Sequence, residues 1–217
     1  KTNTFFIDCD ARLEGLFKRS FDAPVYGTRF CKETPLMDNH TPDFQCAIGQ
    51  LPNCYRNRTE DFPGTPYLVA DPERQIQWRA LFDTFKGRKI GLAWSGGLPN
   101  SGTKKRSIAL EDMKTFISLE YKPVSGDLGP IKSYPRATAK GGDIDDLAAL
   151  ISELDLVVTA CTTVVYVAGA LGIPCYVLVP DQPSYRYGLD GPFPWYQSVT
   201  LIRQDGSWRD TLKRVPL

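Results

Sequence analysis

The chain has 217 residues, of which 42% are hydrophobic and 24% charged, with a formal net charge of +1. This is a globular composition with apolar residues enough for a sizeable core, one large domain or one and a half ordinary ones. Near-neutral charge without a single-sign block excludes the electrostatic footprint of a nucleic-acid or acidic-membrane binder.

The chain opens on a predicted strand, Thr4 to Ile7, followed by ARLEGLFKRS, where Leu13, Leu16 and Phe17 fall at helical spacing. An internal-looking strand met at once suggests an upstream part of the natural protein, so a missing N-terminal segment or a partner chain is expected to complete this side. Phe21 to Pro66 is proline-rich and weakly periodic, with Phe44 to Ile48 and Leu51 as candidates for a short buried strand or turn. The single histidine, His40, lies in MDNHTPD and reads as a surface loop residue.

DPERQIQWRALFDTFK, residues 71–86, is the clearest amphipathic helix. Ile76, Trp78, Leu81, Phe82 and Phe85 form its apolar side, Asp71 is the N-cap, Pro72 stands at the first helical position, and Gly87 ends it. It reads as the connector between an N-terminal part, residues 1–86, and a C-terminal part, residues 87–217. Ile90 to Trp94 then opens the second part as a strand. The loop after it places Ser95, Gly96 and Gly97 beside Lys104, Lys105, Arg106 and Ser107. Glycine lets a backbone approach a ligand closely and the basic run suits phosphate, although the Walker spacing is absent.

FISLEY, residues 116–121, is a third strand with Glu120 near its carboxyl end, where a carboxylate can accept from ribose hydroxyls. Its flanking crossovers are thin, with a helical candidate only at Leu110 to Thr115 and two glycines and two prolines in residues 122–134. Either they are loops or residues of the natural protein are absent within the chain. GGDIDDLAALISELD supplies a helix with Asp145 or Asp146 near its N-terminus.

The densest stretch is Ala148 to Pro180. An apolar, β-branched strand, Leu154 to Val158, leads to a polar turn, Thr159 to Thr163, then a small-residue helix, Val164 to Leu171, closed by Gly172 and Pro174, and a second strand, Cys175 to Val179. The turn puts hydroxyls and unpaired amides at a helix N-terminus, which favours an anion. Leu156 to Pro180 carries no charged residue and is long enough for a membrane span. Gly172 and Pro174 interrupt it, however, and Thr159, Thr162, Thr163 and Tyr166 would lie in lipid, so no transmembrane span is expected. A buried strand–helix–strand core without any ligand is the plainer alternative.

Beyond Pro180, Tyr185, Arg186, Tyr187, Trp195 and Tyr196 cluster among prolines and glycines, as a floor for a sugar or base or as a plug over a sheet edge. Val199 to Ile202 is a last strand and GSWRDTLKRV starts a closing helix. Of six cysteines, Cys161 and Cys175 fall inside the predicted core unit and none forms a CxxC pair, so reduced thiols in a cytoplasmic protein are expected.

The ordered motifs GLAWSGG, KKRSIALE, FISLEY, DIDDLAALISELDLVVTACTTVVYVAGALGIPCYVLVP and YRYGLDGPFPWYQSVTLIRQ resemble the glycosyltransferase-like domain at the C-terminus of many bacterial tetratricopeptide-repeat proteins. That domain is related to ADP-heptose heptosyltransferases and, more distantly, to O-linked N-acetylglucosamine transferases. The resemblance is close from about Tyr67 onward and looser before it. It implies an α/β, GT-B-like fold: a Rossmann-like parallel-sheet donor lobe, Gly87 to Leu217, facing an incomplete N-terminal α/β acceptor lobe, Lys1 to Lys86.

By that resemblance the donor diphosphate sits at Cys161, Thr162 and Thr163, the glycine-rich loop is Ser95 to Gly97, the basic loop is Lys104 to Ser107, and Glu120 faces the nucleoside. Cys161 and Tyr166 stand where many relatives have aspartate and histidine, and a phenol carries no positive charge at neutral pH. The implied activity is metal-independent, inverting transfer of a sugar from a nucleotide diphosphate to an unknown glycan, lipid or protein acceptor, with no cofactor. Arg186 is a further donor contact, and Asp8 and Asp10 are the candidate bases. The rival class is a non-catalytic nucleotide-binding or scaffold domain. A hydrolase or dehydrogenase is a third, although neither GxGxxG after a strand nor GxSxG occurs.

Overall fold

A computed structural model describes residues 5–29, 31, 41–95, 107–113 and 143–216. Among the described residues its centre is a four-stranded, all-parallel sheet in the order β3-β4-β5-β6. These strands are Ile90–Ala93 (β3), Leu156–Ala160 (β4), Cys175–Val179 (β5) and Val199–Arg203 (β6). Two short strands near the start, Ile7–Asp8 (β1) and Val25–Tyr26 (β2), form a separate parallel pair. Helices among the described residues include, in chain order, Glu14–Ser20 (α1), Leu51–Tyr55 (α2), Pro72–Phe82 (α3), Ile144–Ser152 (α4), Thr163–Leu171 (α5) and Trp208–Leu212 (α6). The expected α/β class with a Rossmann-like parallel sheet is what the chain adopts.

The uncharged run gives unalternating strands because both faces of the sheet are covered. On one face Val157, Cys161, Cys175, Val177, Val179 and Val199 pack with α4 and α5. On the other, Leu156, Val158, Ala160 and Leu178 pack with Ile108, Met113, Leu212 and Val215. Each aliphatic side chain withdrawn fully from water contributes roughly 1.5–3 kcal/mol before entropy is counted. Leu16 of α1 enters the first cluster, with Leu13, Phe17 and Leu68 against it, so the N-terminal segment shares the core of the sheet.

Several local expectations are corrected. Strand β4 starts two residues later than predicted, because Leu154 still closes the turn after α4 and Asp155 is engaged by the Lys89 amide. It runs on through Thr159, which pairs with Ala93 and Val177, so the turn shrinks to Cys161 and Thr162 and Thr163 is already helical. The first strand is Ile7–Asp8 rather than a run ending at Ile7. Phe44, Ile48 and Leu51 are not buried: they are 94%, 76% and 41% exposed, in a loop, a 3-10 turn and the start of α2.

Helix α3 has the expected Asp71 cap and Pro72, but it stops at Phe82 and contributes no fully buried residue. Its docking on α4 is largely polar instead. Trp78 donates to Asp146 (2.9 Å), Arg79 forks onto Glu153 (2.9 and 2.9 Å), Gln75 donates to Ser152 and Glu153, and Arg74 pairs with Asp143. Arg19 of α1 joins this clasp through Asp145 and Asp71. No helix among the described residues is long and apolar enough to cross a membrane.

Candidate functional site at the carboxyl edge of the sheet

Parallel α/β sheets present ligand groups beyond the carboxyl ends of their strands, where loops leave strands and helix N-termini point inward. Here β3 and β4 are neighbours, with Ala93 opposite Thr159, so Ser95 and the Cys161–Thr162 turn leave the sheet side by side. The long link between those two strands carries Ser107, whose hydroxyl lies 3.4 Å from that of Ser95, while the Ile108 amide donates to the Trp94 carbonyl at 2.9 Å. Two of the sequence-predicted residues are thereby brought together. Gly96, Gly97, Lys104, Lys105, Arg106, Glu120 and His40 lie outside the described residues, as does the predicted strand 116–121.

At the turn itself, Thr162 is the N-cap of α5: its hydroxyl accepts from the Val164 amide at 3.3 Å and lies 3.2 Å from the Thr159 hydroxyl. Thr163, at the first helical position, is exposed, and its amide has no carbonyl of its own helix to reach. Cys161 turns its thiol into the core, 3.7 Å from the Leu178 carbonyl, so only its main chain can face a ligand.

Tyr166, one turn into α5, lies close to both Arg186 and Tyr187 and packs against the core cluster that contains Tyr187. The Arg186 guanidinium also lies 5.2 Å from the centre of the exposed Tyr185 ring. Tyr187 is buried, and burial first, then Cys161 and Tyr166 beside it, pushes its phenol well above the ordinary range, so it stays neutral. Arg186 thus stands, positively charged, next to the aromatic residue that carries no charge.

Asp8 and Asp10 differ sharply. Asp10 caps the 3-10 turn at Ala11–Leu13 and is gripped by Arg12 at 2.9 and 3.0 Å; that hydrogen-bonded guanidinium, aided by the Arg12 amide, holds its carboxyl down to about 2. Asp8 accepts from the Thr28 hydroxyl at 2.7 Å and the Thr28 amide at 3.3 Å, and makes no ion pair among the described residues. No group of three or more His, Cys, Asp or Glu among the described residues is placed to hold a metal ion.

Sequence reasoning missed Arg203, whose side chain gathers the 187–191 loop, and Asp143, the actual cap of α4.

No family model matches the chain. It is similar to protein FlbA of Caulobacter vibrioides, 27% identical over 234 residues that cover 95% of this chain. The chain spans 39% of the length of that curated relative. Among solved structures it is similar to the E. coli ADP-heptose lps heptosyltransferase II, at 16% identity and a TM-score of 0.40, over 74% of this chain and 54% of that one.

Proposed function

We propose that this chain is the donor-binding part, with an incomplete acceptor side, of a GT-B glycosyltransferase that moves a sugar from a nucleotide diphosphate without a metal and with inversion. The observation that carries the reading is that Ser95, with Ser107 beside it, and the Thr162–Thr163 start of α5 leave the carboxyl ends of the neighbouring strands β3 and β4. The ordered sequence motifs of the heptosyltransferase-related domains support it independently.

Transfer leaves negative charge on the departing diphosphate. Donors already aimed at that position stabilise it without reorganising, and such preorganised electrostatics is commonly the largest catalytic contribution. The amide of Thr163 and the N-terminal end of α5 supply fixed dipoles, Thr162, the exposed Thr163 and Ser95 supply hydroxyls, and Arg186 supplies the positive charge that a phenol at Tyr166 does not. Lys104, Lys105 and Arg106 add to it in this proposal, and Glu120 takes the ribose. The base that deprotonates the acceptor is assigned to Asp8, because Asp10 is committed to Arg12 and a carboxyl held near 2 is a feeble base at neutral pH.

Nucleoside diphosphate release from UDP-, ADP- and GDP-sugars in EDTA tests this. Release from one of them, lowered at least about a hundredfold by Asp8→Asn and little by Asp10→Asn, is expected. No release with any donor over a day favours the other reading, a scaffold or nucleotide-binding domain. That second reading draws support from the inward thiol of Cys161, where the resemblance places a diphosphate contact.

A further inference from the structure

Arg203 ends β6 on the same edge of the sheet as the candidate site. Its guanidinium donates to four main-chain carbonyls of one loop: Tyr187 at 2.8 Å, Gly188 at 3.0 Å, Asp190 at 2.9 Å and Gly191 at 3.2 Å. Turning these carbonyls inward requires left-handed backbone at Gly188 (φ 61°) and Gly191 (φ 72°), which glycine adopts without steric cost. The residues immediately before and within that loop are Arg186 and Tyr187, and Tyr166 packs against the core cluster to which Tyr187 belongs. A planar fork satisfied by several acceptors fixes a loop in a way a flexible ammonium cannot.

We infer that Arg203 is a positioning residue: by folding residues 187–191 around its guanidinium it seats Tyr187 against Tyr166 and sets the direction in which Arg186, immediately before that loop, leaves the chain. Its relevance to ligand rests on the sugar-nucleotide reading above; the positioning itself does not. The cation that would meet a diphosphate is then placed by the loop that follows it, which a second cation folds, so that its alignment is set by β6 rather than by α5.

The test uses the full chain labelled at the tyrosine Cζ carbons, with signals assigned through Tyr166→Phe and Tyr187→Phe, and calorimetry with ADP, UDP and GDP. In Arg203→Lys the Tyr166 and Tyr187 signals are expected to move while that of Tyr26, in β2, stays in place. Affinity for whichever diphosphate binds should fall about tenfold, and adding Arg203→Lys to Arg186→Ala should cost little more, since residues acting as a unit are non-additive. Unmoved Tyr166 and Tyr187 signals in folded Arg203→Lys, or fully additive losses, overturn the inference. Should Arg203→Lys fail to fold, Gly191→Ala strains the same loop where no neighbouring atom obstructs the new methyl, and the same two signals must move. A wild type that binds none of the three diphosphates, with Tyr166 still responding to Arg203, refutes the sugar-nucleotide reading and leaves the positioning role standing.

Discussion

Cys9, Cys161 and Cys175 are buried while Cys31, Cys46 and Cys54 are exposed, and burial decides their chemistry. Loss of solvation, with Glu14 and the flanking aspartates adding to it, pushes the Cys9 thiol to about 11; burial alone pushes Cys175 to about 12. The thiolate is the reactive form, so at pH 8 a thiol reagent should modify three cysteines quickly and the other three only on unfolding. Rapid modification of four or more in the native protein would contradict this packing. The sign for stability is the reverse of a carboxylate's: a thiol whose folded value is raised favours the fold below about 9 and loses that contribution as pH rises through about 11. Asp10, lowered to about 2, contributes above about 4 and loses that contribution as pH falls toward 2.

Helix α5 is the element on which the site depends, and its small residues have a packing reason. A methyl group at Gly169 would meet the Tyr196 ring carbons at 2.4 Å, and Tyr196 is held in turn by Tyr67 through a 3.0 Å hydroxyl contact. Gly169→Ala should therefore destabilise by about 1–3 kcal/mol, the usual cost of overpacking, despite alanine's higher helix propensity. Gly91→Ala meets only the end of Leu154, which can rotate, and should cost less. Urea midpoints decide it, and equal losses at both positions would show that Tyr196 yields.

At this scale much was legible in the sequence. Cys175–Val179 and the Gly172 closure (φ 79°) were readable because a buried parallel strand and a left-handed helix end each restrict residue type strongly. The outer face of α3 was not. Ile76 shares the helical spacing of a core residue yet is 63% exposed, since α4 offers Asp143, Asp146 and Glu153 to that helix rather than an apolar surface. Arg203's role was invisible for a related reason: its partners are carbonyls, which every residue has, so no side-chain pattern announces them.

Over the whole molecule, the N-terminal segment and the sheet share one core through Leu16 and one polar clasp through Arg19, Arg74, Gln75, Trp78 and Arg79. Unfolding followed by tryptophan fluorescence and by far-ultraviolet dichroism should give one coincident transition. Glu153→Ala, which leaves the Arg79 fork without its acceptor and removes one of two from Gln75, should lower that midpoint without changing its slope. Two separated transitions would mean that residues 5–82 fold apart from the sheet.

The central claim is that the carboxyl edge of β3 and β4, with the N-terminus of α5, holds the diphosphate of a sugar nucleotide. Isothermal calorimetry with UDP-, ADP- and GDP-sugars tests it most directly, in wild type, in Thr163→Ala, and in Thr162→Ser, which keeps the helix cap. The account predicts binding of at least one donor, weakened about tenfold by Thr163→Ala combined with Arg186→Ala, and nearly unchanged by Thr162→Ser. Absence of heat with every donor at millimolar concentration, or binding indifferent to Thr163 and Arg186, would contradict it.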